Sequence, residues 1–110
     1  SYVLTHAKGL MPSTTLSVEV DGKIYEAHAQ GDGQYDAFMN ALKKVYIAKN
    51  KTLPKLTDYA VRIPPGSTSD ALCETVITWE MDGKEFTSRG LDSDQTVSAI
   101  KATEKMLNII

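Results

Sequence analysis

The chain is poor in several residue types, with one cysteine, one tryptophan, two histidines and two phenylalanines among its 110 residues, and it has neither a long apolar run nor a block of like charge. A single thiol, Cys73, closes no internal disulfide, which fits a reducing compartment. Together with His6 and His28, scattered along the chain, it falls short of a zinc-ligand set. No segment approaches the roughly 20 apolar residues that span a bilayer, and the first residues lack the basic-then-apolar layout of a secretory leader. The expectation is a cytoplasmic chain with no membrane partner. The 12 Lys and Arg stand against 14 Asp and Glu, a formal net charge of −2. Nothing here draws nucleic acid or an anionic surface over long range.

Catalytic constellations are missing as well. Hydrolytic or acyl-transfer chemistry needs a nucleophile beside a base and a third group to orient it, and no such set is visible. His6 and His28 sit next to alanines on strand-like stretches, where surface or edge placement explains them. Cys73, between Leu72 and Glu74 at the start of a strand, reads as a small buried hydrophobe and not a reactive thiolate. Asp21, Asp82 and Asp94 are accounted for by turns and caps. Gly31-Asp32-Gly33 lacks the third glycine or the Lys-Ser/Thr that a dinucleotide fold or a phosphate-binding loop requires. No cofactor is expected in this chain.

What is present is enough apolar residue, 42%, for one domain with a core. Tyr2 to Ala7 reads as a first strand. Thr15 to Val20 alternates apolar and polar residues, Asp21-Gly22 supplies a two-residue hairpin turn, and Lys23 to Ala29 returns. From Tyr35 to about Lys49 the apolar residues Ala37, Phe38, Ala41, Leu42, Val45, Tyr46 and Ala48 form a helical stripe. Residues 50–56, broken by Pro54, read as a connector. Asp58 to Ile63 then reads as a strand, and Ala71 to Met81 holds another. Asp82-Gly83 turns into Lys84 to Arg89, and a helix runs from about Gln95 to Leu107, N-capped by Ser93 or Asp94.

The two halves repeat. Asp21-Gly22-Lys23 matches Asp82-Gly83-Lys84, Tyr25 matches Phe86, Ala41 matches Ala102 and Val45 matches Met106, all at an offset of 61. Two copies at so long a period are a duplicated unit and not a solenoid. The predicted fold is α+β, two βββα units over about residues 2–49 and 57–110. Two such open layers would cover each other's apolar faces about a pseudo-twofold axis, since neither unit alone buries much surface.

The one motif with a binding character is Gly31-Asp32-Gly33-Gln34-Tyr35-Asp36-Ala37, a glycine turn running into the first helix. The unpaired N–H groups and partial positive charge of a helix start suit a small anion. The alternative is that the two glycines only make a tight strand-to-helix corner. A helix start for a carboxylate, an aspartate or carbonyls for an ammonium, and the apolar stripe of Leu56, Tyr59 and Ile63 for a side chain would together suit a free amino acid.

In order and spacing, Gly31 to Ala37, Leu56 to Arg62, Ser69-Asp70-Ala71, Arg89 to Asp94 and Met106-Leu107-Asn108 resemble the C-terminal regulatory domain of α-isopropylmalate synthase and citramalate synthase. The resemblance covers nearly the whole chain. It implies a homodimer of two βββα units per chain, joined to a catalytic (β/α)8 barrel that condenses acetyl-CoA with a 2-oxo acid. It also implies a branched-chain end product, leucine or isoleucine, as inhibiting effector. By the same resemblance Gly31, Gly33, Tyr35, Asp36 and Ala37 surround the amino and carboxylate groups. Leu56, Tyr59 and Ile63, with Cys73, line the side-chain pocket, and Ser69, Asp70 and Ala71 match the segment at its mouth.

Gln34-Tyr35 stands where many leucine-regulated members resemble a Pro-Val pair, and the tyrosine inclines the resemblance toward citramalate synthase and isoleucine. One methyl position in an apolar pocket separates isomers by only about 1–3 kcal/mol. The competing expectation is a dimerisation or scaffold module without a small-molecule ligand.

Overall fold

A computed structural model describes residues 2–5, 11–63 and 72–110. The chain divides into two compact units, Ser1–Leu53 and Pro54–Ile110. The first holds β1 (Tyr2–Thr5), β2 (Ser13–Val20), β3 (Lys23–Gln30) and α1 (Gln34–Ala48). The second holds β4 (Lys55–Arg62), β5 (Cys73–Met81), β6 (Lys84–Asp92) and α2 (Gln95–Ile109). Each unit is an antiparallel three-stranded sheet in sequential order, followed by a helix packed on one face. This is the α+β, twice-βββα architecture that the repeat predicts.

The hairpin turns are where the duplication is most literal. Asp21 and Gly22 have φ of 54° and 80°, and Asp82 and Gly83 have 54° and 77°. Both central residues are left-handed, the geometry whose twist matches two antiparallel strands, and aspartate and glycine tolerate it best. Both helices span 15 residues and start 61 apart. The first strands depart from that offset. Tyr2 pairs with Leu16, whereas Tyr59 pairs with Ile77, so β1 and β4 are related by 57 and the paired residues lie four positions further apart in the second unit.

In the first unit Thr14, Leu16 and Ala29 are buried with Ala37, Phe38, Met39, Ala41, Leu42 and Val45 of α1. The helix ends in a hydrogen-bonded reversal. Asn50, at φ 57°, donates its N–H to Ile47 O, and Lys51 donates to Tyr46 O. Asp21 at the hairpin tip accepts from Lys51 at 3.1 Å, with Lys49 3.8 Å away. The Lys51 hydrogen bond holds this exposed carboxyl below its ordinary value.

The second unit has a more polar core. Trp79, fully buried, donates Nε1–H to Ser88 Oγ at 2.9 Å, and Ser88 donates onward to the Ala102 carbonyl of α2 at 2.7 Å. Thr75 is hydrogen bonded to Ser98, and Thr103 donates to Ala99 O. Buried hydroxyls survive here because each has a partner. Periodicity marks Val97, Ile100, Ala102 or Thr103, Met106 and Leu107 as the face of α2; it passes over Ser98 and Ala99, both fully buried.

Gly90 sets how close α2 comes to its sheet. A Cβ there would lie 1.9 Å from Ser98 O and 2.6 Å from Ala102 N, both backbone atoms. The sequence places Gly90 in the loop before the second helix; instead it lies inside β6, whose pairing with β5 continues to Asp92. The strand runs on because only a residue without a side chain allows the helix to rest on it there.

β4 also departs from expectation. It begins at Lys55, inside the stretch read as connector, because a register shift between Leu56 and Asp58 breaks the period-two pattern that marks a strand in sequence. Across the bulge Leu56 and Tyr59 fall on one face, opposite Trp79 and Ile77, while Thr57 donates to Thr78 O. All eight residues of β4 are exposed.

Gly90→Ala should cost roughly 3 kcal/mol or more, since backbone of a packed helix must retreat. Urea denaturation followed by the fluorescence of Trp79, the chain's single tryptophan, reads the second unit directly. An unchanged midpoint would contradict the close approach.

Candidate functional site

The residues of the glycine motif come together at the start of α1. Gly33 is the N-cap, with extended backbone (φ −139°) and no side-chain cap. Gly31 is buried, and its N–H is donated to Pro12 O at 3.1 Å, joining the end of β3 to the entry of β2. Asp36, in the first turn, accepts the N–H of Asp32 at 3.0 Å through Oδ2, which closes the turn on itself. Tyr35 is half-buried and stacks on the buried ring of Phe38, centroids 6.3 Å apart and planes 19° from parallel. Ala37 is fully buried and donates to Gly33 O.

The two glycines have different reasons to be glycine. At Gly31 a Cβ would meet Ala37 N at 2.5 Å and Asp36 Oδ2 at 2.6 Å, whereas at Gly33 it would enter open space. Sequence comparison of the two turns suggests that the corner needs no second glycine; packing accounts for Gly31 after all. Among the described residues, neither φ nor crowding calls for glycine at position 33.

The corresponding place in α2 is occupied by Asp94, which accepts the N–H of Val97 at 3.0 Å. Asp92 stands at the equivalent of Gly31; it accepts the N–H of Asp94 and bonds Lys101 at 2.8 Å. Those bonds, Lys101 first, hold the Asp92 carboxyl below its ordinary value. The second helix start therefore fills its own donors and carries its own negative charge. At the first, Asp36 supplies a negative charge but accepts the N–H of Asp32, ahead of the N-cap, and a carboxylate placed at Gly33 would meet the positive end of the helix. An ammonium on the same ligand would offset the nearby charge of Asp36.

The other candidates belong to the second unit. Leu56, Tyr59 and Ile63 form an apolar stripe along β4 and just past it, on the helix-side face and exposed by 36%, 37% and 66%. Val61, also exposed, completes the stripe; its alternation with Tyr59 is the sequence signal that could have found it. Cys73 is half-buried at the start of β5, opposite Asp92. Ser69, Asp70, Ala71 and His6 lie outside the described residues. Among the described residues no group of three or more His, Cys, Asp or Glu is arranged to hold a metal ion. Among the same residues no helix is long and apolar enough to cross a membrane.

A family model described as the LeuA allosteric (dimerisation) domain matches residues 1–110. Among curated relatives, a 2-isopropylmalate synthase of Aquifex aeolicus is 32% identical over 90% of this chain, which spans 18% of that protein. One from Afipia carboxidovorans is 36% identical over 87% of the chain, again 18% of the protein. A protein described only provisionally as the (R)-citramalate synthase CimA of Archaeoglobus fulgidus is 30% identical over 94% of the chain and 20% of its own length. The chain thus spans about a fifth of the relatives it matches.

Two substitutions separate the glycines. Gly31→Ala should destabilise the first unit by about 1–3 kcal/mol through overpacking. Gly33→Ala should cost less, about 0.5–1 kcal/mol, the preference of an N-cap for glycine over alanine. Amide hydrogen exchange in α1 measures both; equal losses would remove the distinction. The Asp92 tie sets a pH dependence as well. Its carboxyl is depressed on folding, so its contribution is present above the unfolded value near 4 and lost as pH falls through the lower folded value. Asp92→Asn should flatten that part of the acid limb of the denaturation profile.

Proposed function

The chain belongs to the LeuA allosteric (dimerisation) domain family, and from that premise we propose that it is a non-catalytic sensor of a branched-chain amino acid. In this reading it is a homodimeric regulatory domain of a longer protein whose (β/α)8 barrel condenses acetyl-CoA with a 2-oxo acid. Occupancy by the end product shifts the population toward an inhibited arrangement of that barrel, through a coupling free energy shared by the two sites. Gly31, Gly33, Tyr35, Asp36 and Ala37 receive the charged end of the amino acid. Leu56, Tyr59, Ile63 and Cys73 receive its apolar side chain, with Ser69, Asp70 and Ala71 beside it.

One observation carries most of this reading: Gly33 stands where the duplicated unit has Asp94, a glycine that neither backbone torsion nor crowding explains. A bare N-cap forgoes a stabilising side chain and keeps the helix start open to a ligand's carboxylate.

Which amino acid binds is a finer question. Tyr35 in place of a valine inclines the reading to isoleucine and a citramalate synthase. Two of the three relatives named above are 2-isopropylmalate synthases, and the comparisons lend that inclination no support. Leucine is therefore tested on equal terms.

A scaffold without a ligand is the second reading, and it is favoured by the packing that explains Gly31. Calorimetric titration with isoleucine, leucine and valine separates the two. At least one should bind in the micromolar-to-millimolar range, and silence from all three would leave only the scaffold. Tyr35→Ala and Tyr59→Ala should each weaken binding about fivefold or more, the scale of one lost apolar contact. Gly33→Asp should abolish it while leaving the fold intact, because the new carboxylate takes the ligand's place.

A further inference from the structure

The duplication makes each unit a control for the other, and one polar atom differs in a telling way. Among the described residues, Thr14 Oγ1 is a buried side-chain oxygen without a hydrogen-bond partner, in a residue with no exposed surface. Its equivalent 61 residues on, Thr75, is hydrogen bonded to Ser98 in the first full turn of α2. Ser98 also donates to Gln95 O. The residue of α1 at the place of Ser98 is Ala37, so the hydroxyl that should answer Thr14 is gone.

The loss is not isolated. The cap Asp94 has become Gly33, and Asp92, which ties the approach to α2, has become Gly31. The next tie along the helix is kept in both copies. Asn40 donates to Gln30 O at 2.9 Å, and at the same places Lys101 donates to Leu91 O at 3.2 Å. Further along, the Ser88–Ala102 bond has no counterpart in the first unit either, but there α1 has another tie of its own, Lys44 to His28 O at 2.7 Å, whereas the first turn lacks the hydroxyl and carboxylate ties just named. Within it Asp36 bonds only the local N–H of Asp32 and reaches no strand.

We infer that the first turn of α1 is a built-in conformational element, less firmly tied to its sheet than the rest of either helix, whose closure on the sheet is the step that ligand binding completes. The last clause rests on the function proposed above; the first does not. An unanswered buried hydroxyl and an uncapped helix start each favour local opening. A ligand whose carboxylate fills the helix start favours the closed form by its differential affinity alone.

Native-state amide exchange on this chain tests the inference. The reading is a ratio within each helix: protection at Ala37, Phe38 and Met39 relative to Ala41–Val45, and at Ser98, Ala99 and Ile100 relative to Ala102–Met106. Taking it within a helix cancels any difference in overall stability between the units. In the free chain the α1 ratio should be about tenfold or more below that of α2, the scale of a cap and one buried hydrogen bond. An equal or higher ratio in α1 overturns the inference.

Ala37→Ser, which restores the partner of Thr14, should raise the α1 ratio. Ser98→Ala should lower that of α2, and it keeps the test available if the added hydroxyl is not tolerated in α1. If Ser98→Ala leaves the α2 ratio unmoved, the Thr75–Ser98 tie is not what holds a first turn, and the inference fails. Saturating isoleucine or leucine should raise protection at Ala37–Met39 and leave Ser98–Ile100 unchanged. The expected free-chain ratio, with no response to either amino acid or to valine, would remove the proposed function and leave the loose turn established.

Discussion

A single α-helix is about 10 Å across and strands in a sheet lie about 4.8 Å apart, so one helix covers two strands and not three. That limit shapes both units. α2 rests on β5 and β6, where Ile77, Trp79 and Ser88 are buried, and β4 is left overhanging with every residue exposed. The overhang is not polar. Leu56, Tyr59 and Val61 continue the helix-side face beyond the helix, in register with the buried side chains of β5. Exposed apolar stripes of this kind mark places where a chain meets something else, and this one carries residues that family resemblance assigns to effector binding.

Within the covered part, the distance between helix and sheet is set by small groups. Gly90 admits the backbone of α2 against β6, and the Trp79–Ser88–Ala102 chain of hydrogen bonds locks that approach. A fully satisfied polar network in a low-dielectric core fixes one arrangement where an apolar core of equal volume tolerates several. The first unit reaches a similar frame with apolar residues in the same places, Val18 for Trp79 and Ala27 for Ser88. Its helix is consequently held by shape more than by hydrogen bonds.

Duplication also sorts residues by the kind of reason they have. Where both copies agree, as at the Asp-Gly turns or the second-turn tie to the strand carbonyl, the fold itself requires the feature. Where they disagree, one copy shows what structure alone would choose. Asp94 is the cap a helix of this kind takes when nothing else is asked of it, and Gly33 in the same place carries no side-chain cap, the difference on which the proposed site rests. The same comparison moves Gly31 the other way, from candidate ligand contact toward local packing.

The α+β class, the twofold repeat, both hairpins and both helices were legible in the sequence. They rest on short-range physics: Asp-Gly turns that force a hairpin, period-two alternation and 3.6-residue stripes. The order and spacing of the motifs were enough to point to the family. The start of β4 was not legible, because its bulge breaks the alternation, nor was the place of Gly90 inside a strand. The different reasons for Gly31 and Gly33, and the unanswered hydroxyl of Thr14, were hidden for one cause. Each depends on how closely a helix backbone approaches a strand many residues away, and no local pattern records that distance. Sequence determined which elements form and in what order; tertiary packing decided which of two like glycines, and which of two like threonines, has a structural reason to be there.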